Sequence, residues 1–143
     1  MDAGSAATDA SRALLDELGL SAGEYVHEFG YDEDVDHGLR QRLEAALGTE
    51  LQPEEDQEPV DAVLVWWRAD DGDVTDLTDM LVDAQSSLDA GPVWVMTPRK
   101  GRAGHVDPAD VQEAAPSAGL HVTTGAGVSA DWAAVKLVHK RGG

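Results

Sequence analysis

Residues 60–97 read VDAVLVWWRADDGDVTDLTDMLVDAQSSLDAGPVWVMT, and this stretch decides the fold class. It opens and closes with runs that are apolar almost throughout, at 60–67 and 91–97. Continuous apolar runs of this length predict strands that are covered on both faces, as in parallel sheets. Between them, leucines recur at helical spacing, which predicts a helix over 74–89 with Asp73 as its N-cap. The stretch therefore predicts a β-α-β unit.

The residues before this unit extend the alternation of strands and helices. The run EYVHEFGY at 24–31 predicts a strand, and the segment at 36–47 predicts a helix that ends at Gly48. A further short helix is expected at 9–18, at the periphery of the fold. The segment QPEEDQEP at 52–59, with two prolines and four acids, predicts an exposed, flexible loop.

After the unit, Asp107 and Pro108 predict the start of another helix, as N-cap and first helical residue. Pro116 should end this helix or bend its last turn. Two strands at 121–128 and 132–140 follow. The alternation predicts an α/β fold, a three-layer sandwich with a mainly parallel sheet and an antiparallel last strand.

The expected organisation is a single domain. With 143 residues and no evident linker, the chain is long enough for one sizeable core. The boundaries we predict are an N-terminal tail with a short helix at 1–23, an α/β domain at 24–140 and a frayed tail at 141–143. The N-terminal residues lack the basic and apolar regions of a signal peptide, and no apolar run approaches membrane-spanning length, so a cytoplasmic protein is expected.

Charge narrows the range of partners. The formal net charge is −18, and residues 1–89 hold 24 acidic and 4 basic residues, whereas residues 90–143 hold 4 and 6. Such acidity argues against nucleic acid or an anionic membrane as the main partner. A protein partner or a small cationic molecule fits better. The absence of cysteine excludes disulfides, thiolate metal sites and a cysteine nucleophile.

Three loops should share one edge of the sheet, because ligands of open α/β sheets meet the carboxyl ends of the strands. These loops are 32–38, 68–73 and 98–105. The candidate ligand or partner edge consists of the acids, bases and two histidines of these loops and of the tryptophan pair directly before the second loop. Its residues are Asp32, Glu33, Asp34, Asp36, His37, Trp66, Trp67, Arg68, Asp70, Asp71, Asp73, Arg99, Lys100, Arg102 and His105.

Four segments, DEDVD, VDAVLVWWRADDGD, WVMTPRKGRAGHVDPADVQEAAPSAGL and DWAAVKLV, resemble a family of short actinobacterial proteins known as a domain of unknown function. The resemblance spans about residues 18–140. It implies a fold similar to the second half of a class I methyltransferase, truncated and Rossmann-like. Methyltransferases carry a G-x-G-x-G loop after the first strand, so that backbone can approach S-adenosylmethionine. This chain has EFGYDEDVDHG there, which speaks against the usual cofactor binding.

The tryptophan pair allows two interpretations. Trp66 and Trp67 point to opposite faces of a strand, which favours packing under helices. An indole at a strand's carboxyl end, beside clustered carboxylates, is also suited to holding a cation. The first interpretation is preferred, and the second is kept as the alternative.

Metal and acid–base patterns are weak. The turn at 32–43 resembles a calcium loop, but His37 stands where glycine is required and Leu43 where a bidentate glutamate belongs. A magnesium site from the acidic loops is a further alternative, although helix-capping and solvated acids explain them better. The five histidines show no ligand spacing, and His37 with His105 is the one pair at the candidate edge.

The sequence therefore predicts no metal site, no catalytic residues and no required cofactor. The working hypothesis is a non-enzymatic regulatory or accessory protein that binds a partner through the acidic strand-end edge. Two alternatives remain: a binder of a small cationic molecule in specialised metabolism, and a residual enzyme that uses S-adenosylmethionine or magnesium. Oligomeric state, partner identity and pathway stay open.

Overall fold

The computed structural model describes residues 3–139, with side chains from residue 9 onward. Helices and strands alternate along this part of the chain. In order they are α1 (Ala3–Leu18), β1 (Val26–Phe29), α2 (His37–Leu47), β2 (Ala62–Trp66), a 3-10 turn (Ala69–Asp71), α3 (Val74–Ala84), β3 (Val93–Pro98), α4 (Pro108–Ser117), β4 (Leu120–Ala126) and β5 (Trp132–His139).

The five strands form one sheet in the order β1-β2-β3-β5-β4. Strands β1, β2 and β3 are parallel neighbours, and β5 runs antiparallel to both β3 and β4. Strand β4 therefore runs in the same direction as the first three. The predicted mainly parallel sheet with an antiparallel last strand is confirmed. The sequence did not reveal that β5 lies between β3 and β4.

Helices cover both faces of the sheet. Leucines of α1 and α2 pack against Trp66 and Trp94 on one face. On the other face, Leu77 and Leu81 of α3 pack against Val63 and its neighbours in β2 and β3. Every residue of β1, β2 and β3 is buried. The three-layer α/β sandwich is thus confirmed, and the apolar runs are strands covered on both sides, as expected.

Aspartates cap the start of three helices; the caps at Asp73 and Asp107 were predicted from the sequence, and the cap at Asp36 was not. Asp36, Asp73 and Asp107 each accept a hydrogen bond from a backbone N–H in the first turn of α2, α3 and α4. A cap of this kind stabilises a helix by about 1 kcal/mol. Because the caps set where each helix leaves its loop, they also set the direction of the loops at the carboxyl edge of the sheet.

Two predicted helices have different extents. Helix α1 begins at Ala3 rather than near residue 9, and Leu15 and Leu18 belong to the main core, so the expected peripheral position is wrong. Helix α3 ends at Ala84 instead of 89. Gln85 donates side-chain hydrogen bonds to Leu81 O and Ala118 O, which ties the end of α3 to α4. The predicted tail at 141–143 lies outside the described residues.

The loop at 52–59 is exposed over most of its length, as predicted, but it is anchored to the sheet. Gln52 exchanges backbone hydrogen bonds with Val26 and Glu28 at the outer edge of β1. The imidazole Nε2–H of His27 donates to Glu54 O at 2.9 Å. The loop therefore covers the edge of the first strand, a role that its acidic, proline-containing composition did not indicate.

The topology creates a crevice between β1 and β2. The chain leaves β1 for α2 on one face and leaves β2 for α3 on the opposite face. Neighbouring strands that feed opposite layers define a switch point, and ligands of open α/β sheets bind there, at the carboxyl ends of the strands. The loops after β1 and β2 flank this crevice.

Candidate functional site

Three loops meet at the carboxyl edge of the parallel strands, and we call residues 30–37, 67–73 and 98–105 together the rim. The backbone N–H of Ala69 donates to Gly104 O at 2.9 Å, which joins the second loop to the third. Arg68 bonds Asp34 and so joins the second loop to the first. The predicted placement of the acidic and basic connections at one edge is therefore what the structure shows.

Arg68 fills the crevice between β1 and β2. Its Nη1 donates to Gly30 O at 2.7 Å, and its Nε donates to Asp34 Oδ2 at 2.9 Å. A second bond, from Nη2 to Asp34 Oδ1, makes this pair bidentate. The guanidinium carbon lies 5.3 Å from the centre of the Trp132 ring, and Asp71 lies 3.5 Å from Nη1. The protein's own cation thus occupies the position where the fold would admit a ligand.

The pKa values of the pair show mutual stabilisation. The hydrogen bond from Arg68 lowers the pKa of Asp34 below its usual value, against the opposing effect of burial. Burial alone would lower the pKa of Arg68, but Asp34 and Asp71 outweigh it and raise that pKa. Both groups are therefore charged across the physiological pH range, and the clamp is an ion pair.

Gly30 is required where β1 ends. Its φ is +75°, and a Cβ at this position would lie 2.2 Å from Trp66 O. Only glycine fits such an approach without moving the backbone of β2. The single glycine after β1 therefore serves the contact between two strand ends.

The tryptophan pair is buried on both faces. Trp66 is 0% exposed and Trp67 is 5% exposed. Trp66 packs edge-to-face on Trp132, with ring centres 4.9 Å apart, and its indole N–H donates to Glu28 Oε2 at 2.8 Å. The preferred interpretation, packing under helices, holds. The alternative of a cation held by these two indoles is wrong, because neither ring faces solvent.

A partly buried ion pair lies beneath the rim and was not predicted. Glu28 in β1 accepts hydrogen bonds from Arg40 Nε at 2.7 Å and Arg40 Nη2 at 2.9 Å. These bonds raise the pKa of Arg40. The guanidinium also lies 4.7 Å from the centre of the Tyr31 ring. A glutamate inside a four-residue buried strand was the signal available in the sequence, because a buried carboxylate needs a partner.

The basic loop turns away from the acidic loops. Arg99 Nη2 donates to Ser129 O at 2.9 Å, and Arg102 pairs with Asp131 at 3.0 Å. Both partners lie in the turn between β4 and β5. Of the four bases on the candidate edge, Arg68 contacts the acidic loops, Arg99 and Arg102 contact the β4–β5 turn instead, and Lys100 is exposed at the edge of the rim.

Asp36 links the first loop to the same turn. Its carboxylate caps α2 through the backbone N–H of Leu39 and accepts the Ser129 hydroxyl at 2.7 Å. Burial would raise the pKa of Asp36, but these hydrogen bonds outweigh it and lower that pKa. Asp36 is thus a structural residue of the rim, and Ser129 is a contact that the sequence did not indicate.

The remaining candidates fall into two groups. His37 bonds Glu33 O and His105 bonds Pro98 O, each at 2.9 Å, so each imidazole is held by a different backbone carbonyl. The outward acids are exposed on the first two loops: Asp32, Glu33, Asp34, Asp70, Asp71 and Asp73. Within residues 3–139, no group of three or more potential ligands has the arrangement of a metal site.

Solved structures that are similar to this arrangement of strands and helices include methyltransferases. Magnesium protoporphyrin IX methyltransferase (ChlM) from Synechocystis PCC 6803, with bound SAM, matches with a TM-score of 0.60 and 12% identity, over 94% of this chain and 78% of that chain. Mitomycin 7-O-methyltransferase MmcR matches with a TM-score of 0.60 and 14% identity, over 94% of this chain and 54% of that one. The fold is therefore a methyltransferase-like Rossmann fold.

Sequence comparison then gives the family. The model for the protein of unknown function DUF3052 matches residues 15–141, and the chain belongs to this family. Uncharacterized protein Rv2239c of Mycobacterium tuberculosis and Mb2263c of Mycobacterium bovis are each 41% identical over 136 residues, covering 94% of this chain and 84% of the relative. The resemblance to an actinobacterial family is confirmed.

In the crevice where the fold would hold a ligand, this chain has one glycine and an arginine clamp in place of a glycine-rich loop. The loop after β1 has one glycine, and that glycine abuts Trp66 O. The space between the strand ends is taken by the Arg68 side chain and its carboxylate partners. A cationic sulfonium ligand would have to displace a guanidinium that is already bonded to Asp34 and to the backbone.

Proposed function

We propose that the protein is a non-enzymatic binding protein, regulatory or accessory in role, whose rim docks on a partner protein. The observation that carries this proposal is the Arg68 clamp. By bonding Gly30 O and Asp34 while Asp71 lies beside it, Arg68 fixes the first two loops against each other. A rim whose loops are fixed before binding loses little conformational freedom when a partner docks.

The charge of the rim favours a partner with a basic surface. The exposed acids of the first two loops point outward, while the basic loop is turned to the β4–β5 connection and Arg102 is paired with Asp131. Like-charged groups at one edge steer an oppositely charged partner and speed its association. Nucleic acid and anionic membranes are disfavoured as partners, and none of the helices in the described chain is long and apolar enough to cross a bilayer.

Binding rather than catalysis also agrees with the chemistry of the rim. His37 and His105, the histidine pair at the candidate edge, are bonded to separate backbone carbonyls. The carboxylates with clear interactions cap helices or hold Arg68. We therefore propose that the protein binds its partner without S-adenosylmethionine or magnesium.

Affinity capture from native cells, followed by mass spectrometry, tests the proposal. The bait is compared with a rim variant, Asp32→Asn/Glu33→Gln/Asp70→Asn, and with a control of equal charge change, Asp16→Asn/Asp79→Asn/Glu113→Gln. A stoichiometric protein partner should be recovered with the wild type and the control, and lost with the rim variant. Equal recovery with the rim variant, or no stoichiometric partner with the wild type, contradicts the proposal.

A further inference from the structure

A separate cleft lies along the outer edge of the sheet, beside β1. Its volume is about 760 Å³. It is lined by residues of β1, by Tyr31, Arg40 and Leu51, by the anchored loop at 53–57, and by the end of α3 with the turn that follows. Cavities of about 300–1,000 Å³ are the size of small-molecule sites. The cleft is distinct from the crevice that Arg68 closes, because it flanks the first strand rather than the gap between β1 and β2.

The lining of this cleft is strongly acidic. It contains five carboxylates and one guanidinium, that of Arg40, which the Glu28 carboxylate already neutralises. The unbalanced acids are Glu54, Glu55, Asp56 and Asp83. Within the described chain, none of these four forms an ion pair. The cleft therefore presents a negative potential that favours a positively charged occupant.

His27 supplies an independent sign of a ligand. It lines the cleft and is 1% exposed, and its Nε2 bonds the carbonyl oxygen of Glu54 at 2.9 Å. Because a carbonyl only accepts, Nε2 carries a proton, and in the Nε2–H tautomer Nδ1 is an acceptor. This Nδ1 is buried and has no hydrogen-bond partner among residues 3–139. Buried polar atoms without partners are costly and uncommon. Because Nδ1 has almost no accessible surface, a donor from a bound molecule would complete the site once the ring or the loop at 53–57 shifts to admit it.

The rest of the lining limits the kind of cation. Phe29, Leu51 and Pro53 give the cleft apolar parts, which suit the carbon skeleton of an organic molecule. A bare metal ion does not fit, because the described residues hold no group of three or more ligands with metal-site geometry. The ligand must combine positive charge, N–H donors and an organic body.

We propose that this cleft binds a small organic cation with N–H donors, namely a primary ammonium or guanidinium compound. The carboxylates of Glu54, Glu55, Asp56 and Asp83 hold its charge, and Nδ1 of His27 accepts one of its N–H bonds. The proposed protein partner at the rim is a different ligand, although the sites adjoin at Tyr31, and the experiments below measure the two kinds of binding separately.

Titrations with phenethylamine, agmatine and spermidine test the cleft. Binding is monitored by the NMR signals of the His27 imidazole and by calorimetry. At least one probe should bind with a Kd of about 1 mM or tighter and shift the Nδ1 signal. Glu55→Gln/Asp83→Asn, two exposed acids without hydrogen-bonded side chains, should weaken that probe about tenfold. The control Asp16→Asn/Glu113→Gln, with the same charge change elsewhere, should leave its Kd within about twofold.

The donor requirement is tested with the N-trimethylated form of the best probe, which keeps the charge and removes the N–H bonds. It should bind about tenfold more weakly, because Nδ1 of His27 then gains no donor. The proposal is overturned if no probe shifts the His27 signals, if the control weakens binding as much as the cleft variant, or if the trimethylated form binds equally well. Partner capture by the cleft variant should remain at the wild-type level.

Discussion

Replacing Arg68 by methionine should destabilise the protein by about 3 kcal/mol. The variant keeps a long apolar side chain in the crevice and removes the guanidinium, which is 12% exposed in the wild type. Gly30 O then loses a charge-assisted hydrogen bond, a loss of about 1.5–3 kcal/mol. The bond to Asp34 adds only about 0.5–1 kcal/mol, because that carboxylate is 54% exposed and screened by water.

Urea unfolding, followed by tryptophan fluorescence, measures this difference. Arg102→Met is the matched control, because Arg102 and its partner Asp131 are 54% and 52% exposed, and its cost should stay below about 1 kcal/mol. A double-mutant cycle of Arg68→Met with Asp34→Asn should give a coupling of about 0.5–1 kcal/mol. The reasoning is refuted if Arg68→Met costs no more than the control, since the clamp would then hold nothing together.

Other substitutions probe the layers beneath the rim. Glu28→Gln removes the charge that pairs with the partly exposed Arg40 and should cost about 1.5–3 kcal/mol in the same unfolding assay; a cost below about 0.5 kcal/mol would show that the pair does not stabilise the fold. Gly30→Ala should cost more than about 2 kcal/mol, since its Cβ would meet Trp66 O. Gly23→Ala is the control and should cost less, because Gly23 also has a positive φ but a Cβ there would meet no other atom. Acrylamide should quench native tryptophan emission far less than unfolded emission, because all four indoles are buried, and equal quenching would contradict that burial. Because the pKa of Asp36 is lowered in the folded state, its contribution is present above its usual value of 3.8 and is lost as pH falls through the folded pKa. Acid unfolding should therefore be less steep in Asp36→Asn, and unchanged steepness would show that Asp36 is not a source of the pH dependence.

The layers of the fold were predictable because they depend on local patterns. The apolar runs ending at Trp67 and Thr97 exceed what a half-exposed strand would carry, so they indicated covered parallel strands. The caps at Asp73 and Asp107 were predictable for the same reason, since a capping side chain bonds its own first turn. Topology then placed three loops at one edge of the sheet.

Contacts between distant side chains were not predictable. The sequence offered four bases near the rim, and nothing in their spacing distinguished Arg68, which enters the crevice, from Arg99 and Arg102, which turn to the β4–β5 connection. The partner of Glu28 is Arg40, twelve residues away on the next helix. Such pairs depend on the register between a strand and a helix, which single-sequence periodicity does not determine.

The extent of α1 was missed for a related reason. Residues 3–8 are AGSAAT, which contain no large apolar side chain and therefore no stripe from which a helix could be recognised. Alanine nevertheless has a high helix propensity, so the helix extends back from the part anchored by Leu15 and Leu18.

The anchoring of the loop at 52–59 depends on backbone hydrogen bonds to β1, and those leave no signature in composition.

Isothermal titration calorimetry with S-adenosylmethionine tests the closed crevice most directly. If Arg68 occupies the space between the ends of β1 and β2, the wild-type protein should give no binding heat at millimolar ligand. A micromolar dissociation constant would contradict the account, because it would show that the crevice opens and that the methyltransferase-like fold retains its cofactor site.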